Sequence, residues 1–297
     1  LPEPQTTGSI APPPANLGGL SGIGTLLAAL RRNQAGIKAP QDIDKYMDCY
    51  PYGDDGRENY QRYKKFIDLA ADNFRVTIKE QPIEVNPTLM ACLFRRESGY
   101  DPANKSHTDA VGLGQHTSIN IKDMGQRLAK KGSWESALWK SFFARVKADP
   151  EGRRTLAACK GSSRNGDPTF TSREDAKCPL QSMAASYIYN ILIQRELMRS
   201  AKSKHVEWEQ ELEYQLAVGA AYNLGNGAAR QAVENLFVGG WLKAILRKSS
   251  KKEKQEEVAS HVSALRNCMQ AGNWKPMAEG DRPRCENFPS KVIAGKR

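Results

Sequence analysis

The chain has 297 residues, 39% of them apolar, which is enough for a sizeable core. Its 44 basic and 33 acidic residues leave a net charge of +11, a balance that favours polyanionic surroundings. The basic residues are scattered, with no helix-turn-helix, zinc-finger or aromatic single-strand-binding pattern, which argues against nucleic acid; no apolar run is long and unbroken enough to span a membrane.

In chain order, the uncharged stretch from Thr6 to Leu30 is interrupted by Pro12, Pro13, Pro14 and several glycines, and it lacks a basic start. Residues 1–40 therefore read as an exposed, flexible Pro/Gly-rich leader rather than an intact signal peptide. Residues 41–81 read as a helical N-terminal extension, with Tyr46, Tyr60, Tyr63, Phe66 and Ile67 at helical spacing between Asp42 and Phe74. Asn86-Pro87 then offers a cap followed by the proline that suits a first helical position, and Gly99 offers a stop, so a short helix is expected between them.

Further helices are expected over Ile119–Leu128 and Trp134–Val146, the second carrying Trp134, Leu138, Trp139, Phe142 and Phe143 as core aromatics. Glu151–Lys177 reads as a polar loop. Cys178-Pro179 opens a helix with Met183, Tyr187, Ile188, Ile191 and Leu192 on one side. Glu209–Ala221 forms another, whose Ala-Val-Gly-Ala-Ala end lets a neighbour approach closely. The mixed-sign run from Arg247 to Glu257 reads as a solvated helix. The predicted class is mainly α, with few strands and no internal repeat.

Glu97 is the candidate chemical group of the first short helix. Leu89, Leu93 and Glu97 are four apart, so the carboxylate projects from the apolar stripe, while Arg95 and Arg96 are expected to point elsewhere. Two readings stand: a helix-terminal glutamate turned into solvent, or a carboxyl held against apolar side chains. The second raises the carboxyl pKa, as a general acid requires. Ser106 follows nine residues after Glu97, Gly112-Leu113-Gly114-Gln115 places Gln115 eighteen residues after it, and Ala221-Tyr222-Asn223-Leu224-Gly225 lies far downstream.

On those motifs the chain resembles the lysozyme-like lytic transglycosylases, which include the goose-type lysozymes, from about Pro82 to Val233. The resemblance implies a helical lysozyme-like domain with a substrate cleft over residues 82–245; residues 246–297 read as a charged helix and Cys-containing C-terminal extension. The resemblance also implies cleavage of the β-1,4 bond between N-acetylmuramic acid and N-acetylglucosamine in peptidoglycan, with Glu97 protonating the glycosidic oxygen. Release of product is by water or by the sugar's own 6-hydroxyl, the latter giving a 1,6-anhydro end. Ser106 would orient Glu97 or the substrate, and Gln115, Tyr222 and Asn223 would line sugar subsites. For the last three, hydrogen bonding within loops and helix caps is an equal alternative.

Two departures stand out. Asp109 replaces the family's glycine, and Gly114 replaces its methionine, removing an apolar wall. Asp109 is read as a second catalytic carboxylate, an anchor for a positively charged sugar, or an ordinary turn residue. The anchoring option implies preference for de-N-acetylated glycan. Rivals are a chitinase and a non-catalytic wall-binding or secretion-apparatus protein of the same fold.

The six cysteines form an even set, as expected of an exported, periplasmic or extracellular monomer. The pairing expected is Cys159 with Cys178, Cys268 with Cys285, and Cys49 with Cys92, with a reduced core Cys92 as the alternative. His107, His116, His205 and His261 show no ligand spacing with these cysteines, so neither metal nor cofactor is expected.

Overall fold

The computed structural model describes residues 54–78, 81–161, 163–164, 167–204, 211–225 and 252–270. The leader, Cys49, Cys285, His205 and the first part of the 247–257 run lie outside the described residues. The described chain is mainly helical, as the periodicity predicts, with two small two-stranded sheets.

Helix α1 (Asp54–Asn73) turns Tyr60, Tyr63, Phe66, Ile67 and Ala70 inward at spacings of three and four. Strands β1 (Arg75–Ile78) and β2 (Gln81–Glu84) form an antiparallel ribbon leading into α2 (Pro87–Ser98). The α2 ends follow the expected local chemistry. Asn86 Oδ1 accepts the Leu89 N–H at 3.1 Å, Pro87 takes the first turn, and Gly99 stops the helix at φ 62° with its N–H on the Arg95 carbonyl.

Helix α2 is buried on more than one side. Leu89, Met90, Leu93 and Phe94 are sealed from solvent, Arg95 is buried as well, and Arg96 is exposed. The reason is that α1, α8 and α9 all pack on α2, so few of its faces are left for solvent.

Helices α3 (Ser118–Ala129) and α4 (Trp134–Ala148) are capped by Thr117 and Ser133, and Trp139, Phe142 and Phe143 enter the core as predicted. The segment expected to be a loop is partly ordered. It holds α5 (Pro150–Ala157), a short β3–β4 hairpin (Ser163–Arg164, Asp167–Pro168) and α6 (Arg173–Lys177). The overlooked signals are Asp149-Pro150, a cap with a first-turn proline, and the Ser172/Asp175 capping box. Helix α7 (Pro179–Lys204) runs through the middle of the core, with Leu180, Met183, Ala184, Tyr187, Ile188 and Ile191 inaccessible.

Helices α8 (Glu211–Leu224) and α9 (Lys252–Gln270) complete the described core. A Cβ at Gly219 would lie 2.4 Å from Leu265 Cδ1, so the small-residue end of α8 does admit a close neighbour, the α9 side chain Leu265. Val258, Val262 and Leu265 of α9 are buried in the same cluster as Leu89 and Leu93.

Two disulfides join described cysteines. Cys159–Cys178 closes the α5–α6 segment, as expected. The other expected pairings do not stand for Cys92 and Cys268, because these two bond to each other across 176 residues. Their helices α2 and α9 pack side by side, which brings the Cα atoms within 5.9 Å. Among the described residues, no helix is long and apolar enough to cross a membrane.

Candidate functional site

Glu97 occupies the last turn of α2, with its side chain 13% exposed, so it is neither turned out into water nor sealed in. Its Oε1 lies 3.6 Å from Nδ1 of His261, a buried residue of α9. Tyr222 of α8 lies within electrostatic reach: its phenol pKa is raised well above its usual range by burial first, with the charge of Glu97 adding to the effect. Three helices that are distant in sequence thus converge on one carboxyl group.

Below Glu97, the loop from Gly99 to His116 folds back on the end of α2. Gly99 and Tyr100 both adopt left-handed backbone, and the Tyr100 hydroxyl donates to the Ala91 carbonyl at 2.8 Å. Asn104 Nδ2 reaches the Ser98 carbonyl at 3.4 Å, and the Gly112 N–H donates to the Asn104 carbonyl. Ser106 Oγ accepts the Ala110 N–H at 3.1 Å and bonds with Thr108 at 2.9 Å, so its role in the described structure is to close the turn.

Asp109 sits at φ 67° in that turn, a conformation glycine adopts readily and aspartate tolerates better than most residues. Its exposed carboxylate meets Lys105 Nζ at 2.7 Å and Arg173 Nη1 at 3.3 Å, and Arg173 also donates to its backbone carbonyl. Hydrogen bonds from Lys105 and then Arg173 hold the Asp109 carboxyl below its usual range.

Gln115 is likewise left-handed, at φ 48°. Its Nε2 donates to the Asn104 and Gly112 carbonyls at 3.2 and 3.0 Å, which ties the two ends of the loop together. Asn223, half-buried at the end of α8, follows Tyr222.

The Gly112–Gln115 turn is pinned by a buried polar cluster that the sequence reading did not identify. The Gly114 N–H donates to Ser182 Oγ at 3.1 Å, and the Tyr222 hydroxyl lies 3.1 Å from the Gly114 carbonyl and 2.8 Å from Ser186 Oγ. Ser186 Oγ in turn meets His116 Nε2 at 3.1 Å, and His116 Nδ1 meets Asn120 Oδ1 at 2.9 Å. Burial lowers the His116 pKa and favours a neutral ring, and Nε2 also lies 3.1 Å from the Ser182 carbonyl, which only accepts, so Nε2 carries the hydrogen. Tyr222 therefore spends its hydroxyl on the fold and presents its ring to Tyr189 at 5.3 Å.

Gly114 does not open a pocket, contrary to the expected loss of a wall. The space beside it is filled: a Cβ there would lie 2.0 Å from Ser186 Oγ, 2.6 Å from Tyr222 Oη and 2.7 Å from His116 Nε2. Gly114→Ala is expected to destabilise the fold by roughly 1–3 kcal/mol through overpacking. Adding Ser186→Gly, which removes the nearest atom, is expected to recover part of that loss in urea denaturation. A neutral Gly114→Ala would show that the turn shifts freely.

A separate cavity of about 620 Å³ lies beside the Cys159–Cys178 bridge, lined by Arg62, Arg154 and Lys160 among others, and includes none of the predicted site residues. No group of His, Cys, Asp and Glu suited to a metal occurs among the described residues. Comparison with models of known families, with curated proteins and with solved structures finds no match.

Proposed function

We propose that the chain is a peptidoglycan-cleaving glycosidase acting on the β-1,4 bond between N-acetylmuramic acid and N-acetylglucosamine. The observation that carries this reading is Glu97: a helix-end carboxyl, 13% exposed, set beside the buried Tyr222 and His261. Its proton passes to the glycosidic oxygen as the C–O bond breaks, and the resulting carboxylate takes a proton from the attacking oxygen. That oxygen belongs to water in a lysozyme and to the sugar's own 6-hydroxyl in a lytic transglycosylase.

The motifs around Gly112–Gln115 and Tyr222-Asn223 support this reading through position. They are about a hundred residues apart in sequence, and the Tyr222 hydroxyl joins them through the Gly114 carbonyl. The two disulfides favour an exported protein acting in the periplasm or outside the cell. Mass spectrometry of fragments released from purified sacculi tests the proposal. Hydrolysed or anhydro ends support it, whereas intact glycan favours a wall-binding or secretion-apparatus role.

A preference for de-N-acetylated glycan belongs to the same proposal, but an Asp109 already paired with two cations is a poor anchor for a third. Asp109→Gly is expected to cleave matched acetylated and deacetylated sacculi in the wild-type ratio, within about twofold. A tenfold change, worth about 1.4 kcal/mol, would restore the anchoring role.

A further inference from the structure

His261 is a buried titratable group 3.6 Å from Glu97, and nothing in the proposed reaction uses it. It lies on the inward face of α9 with Val258, Val262, Leu265 and Cys268, where a histidine is an expensive replacement for an aliphatic side chain unless its ring is satisfied. Its Nε2 is 3.2 Å from the Gly219 carbonyl of α8. A carbonyl only accepts, so Nε2 carries the hydrogen, and the neutral ring then faces Glu97 with the bare Nδ1.

The 3.6 Å between Nδ1 and Oε1 is an ion-pair distance rather than a formed hydrogen bond. At that separation the two sites bind protons interdependently. A protonated carboxyl is favoured beside a neutral ring, and a charged ring beside a carboxylate.

We propose that His261 is the positioning residue of the Glu97 acid: anchored through Nε2 on Gly219, it holds one proton in common with Glu97. This inference rests on the glycosidase reading for its catalytic meaning, though not for the pairing itself. In the one-proton state, the form with the proton on Oε1 is the form that delivers it to the leaving oxygen. When the attacking water or hydroxyl returns a proton, the pair is restored with no net change.

The pair is set in a rigid frame. Cys268, two turns beyond His261, is bonded to Cys92 of α2, and Arg96 beside Glu97 donates to Ser260 at 3.3 Å. Among the described residues, Arg95 and Arg96 precede Glu97 on α2 and Glu257 lies one turn before His261 on α9; the phenol of Tyr222, with its raised pKa, stays neutral through the range in which the pair titrates.

The sign of the effect follows from the coupling. A shared proton leaves at a higher pH than it would from Glu97 alone, so the basic limb of the pH–kcat profile lies higher while His261 is present. His261→Asn keeps an amide near the Nδ1 position but cannot titrate. It is expected to leave KM within about twofold and to move the basic limb of kcat down by about one pH unit or more.

The companion measurement needs no activity. By nitrogen NMR, the His261 ring of the folded full chain should release its proton about one pH unit higher in wild type than in Glu97→Gln, because the carboxylate that stabilises the charged ring is gone. Equal His261 midpoints in wild type and Glu97→Gln overturn the pairing whatever the enzyme does. A shifted midpoint with no cleavage of sacculi by wild type sustains the pairing and removes the glycosidase reading instead. An unshifted basic limb in an active, folded His261→Asn overturns the positioning role.

Discussion

Glu97→Gln is expected to reduce release of fragments from purified sacculi by ~10²–10⁴-fold, the usual contribution of a positioned general acid. At about 1.36 kcal/mol per tenfold, that is roughly 3–5 kcal/mol of transition-state stabilisation. The substitution keeps the shape of the side chain, and an amide nitrogen in place of Oε1 has a hydrogen to offer His261 Nδ1, so α9 should remain docked. The thermal midpoint is expected to stay within a few degrees and binding to sacculi to be kept. Mass spectrometry of the soluble fragments, beside a denaturation curve, checks both halves. Retention of more than about a tenth of wild-type turnover would remove Glu97 from the role of proton donor.

The second large effect is on stability. Cys92 and Cys268 are 176 residues apart, so their bond restricts the unfolded chain far more than Cys159–Cys178, whose separation is 19. On the chain-entropy model the long closure contributes about 5 kcal/mol and the short one about 3 kcal/mol. Replacing Cys92 and Cys268 together by alanine is therefore expected to lower the urea midpoint more than replacing Cys159 and Cys178 together. Alanine avoids placing a hydroxyl at two positions that are 1% and 3% exposed. If the long-range pair proves the cheaper to remove, α9 is held by Val258, Val262 and Leu265 rather than by the bond.

Both effects converge on α9, which the sequence reading placed in a charged extension. Its N-terminal part is indeed rich in lysine and glutamate, and that hid the stripe Val258, His261, Val262, Leu265, Cys268 and Met269 that follows. A histidine on such a stripe was the available signal for His261. Periodicity shows that such a residue is covered, but not by what.

Other differences have the same origin. Gly114 reads in one dimension as a missing side chain and therefore as room. In three dimensions Ser186, Tyr222 and His116 converge on the same point from α7, α8 and the loop itself. Asp109 reads as a second carboxylate, a sugar anchor or a turn residue; the pairing that decides against the anchor includes Arg173, which is 64 residues away.

What the amino-acid sequence determined by itself is the set of features whose physics closes within a few residues. The Asn86 cap, Pro87 in the first turn and the left-handed Gly99 define α2 and put Glu97 in its last turn, because these hydrogen bonds span only three or four positions. The core aromatics of α4 and the neighbouring Cys159–Cys178 pair belong to the same group. Tertiary structure alone decided that Arg95 is buried, that Cys92 bonds to Cys268, and that Glu97 faces His261. Each depends on which helix docks on α2, and docking is selected by the fit of whole surfaces, which no local pattern of residues encodes.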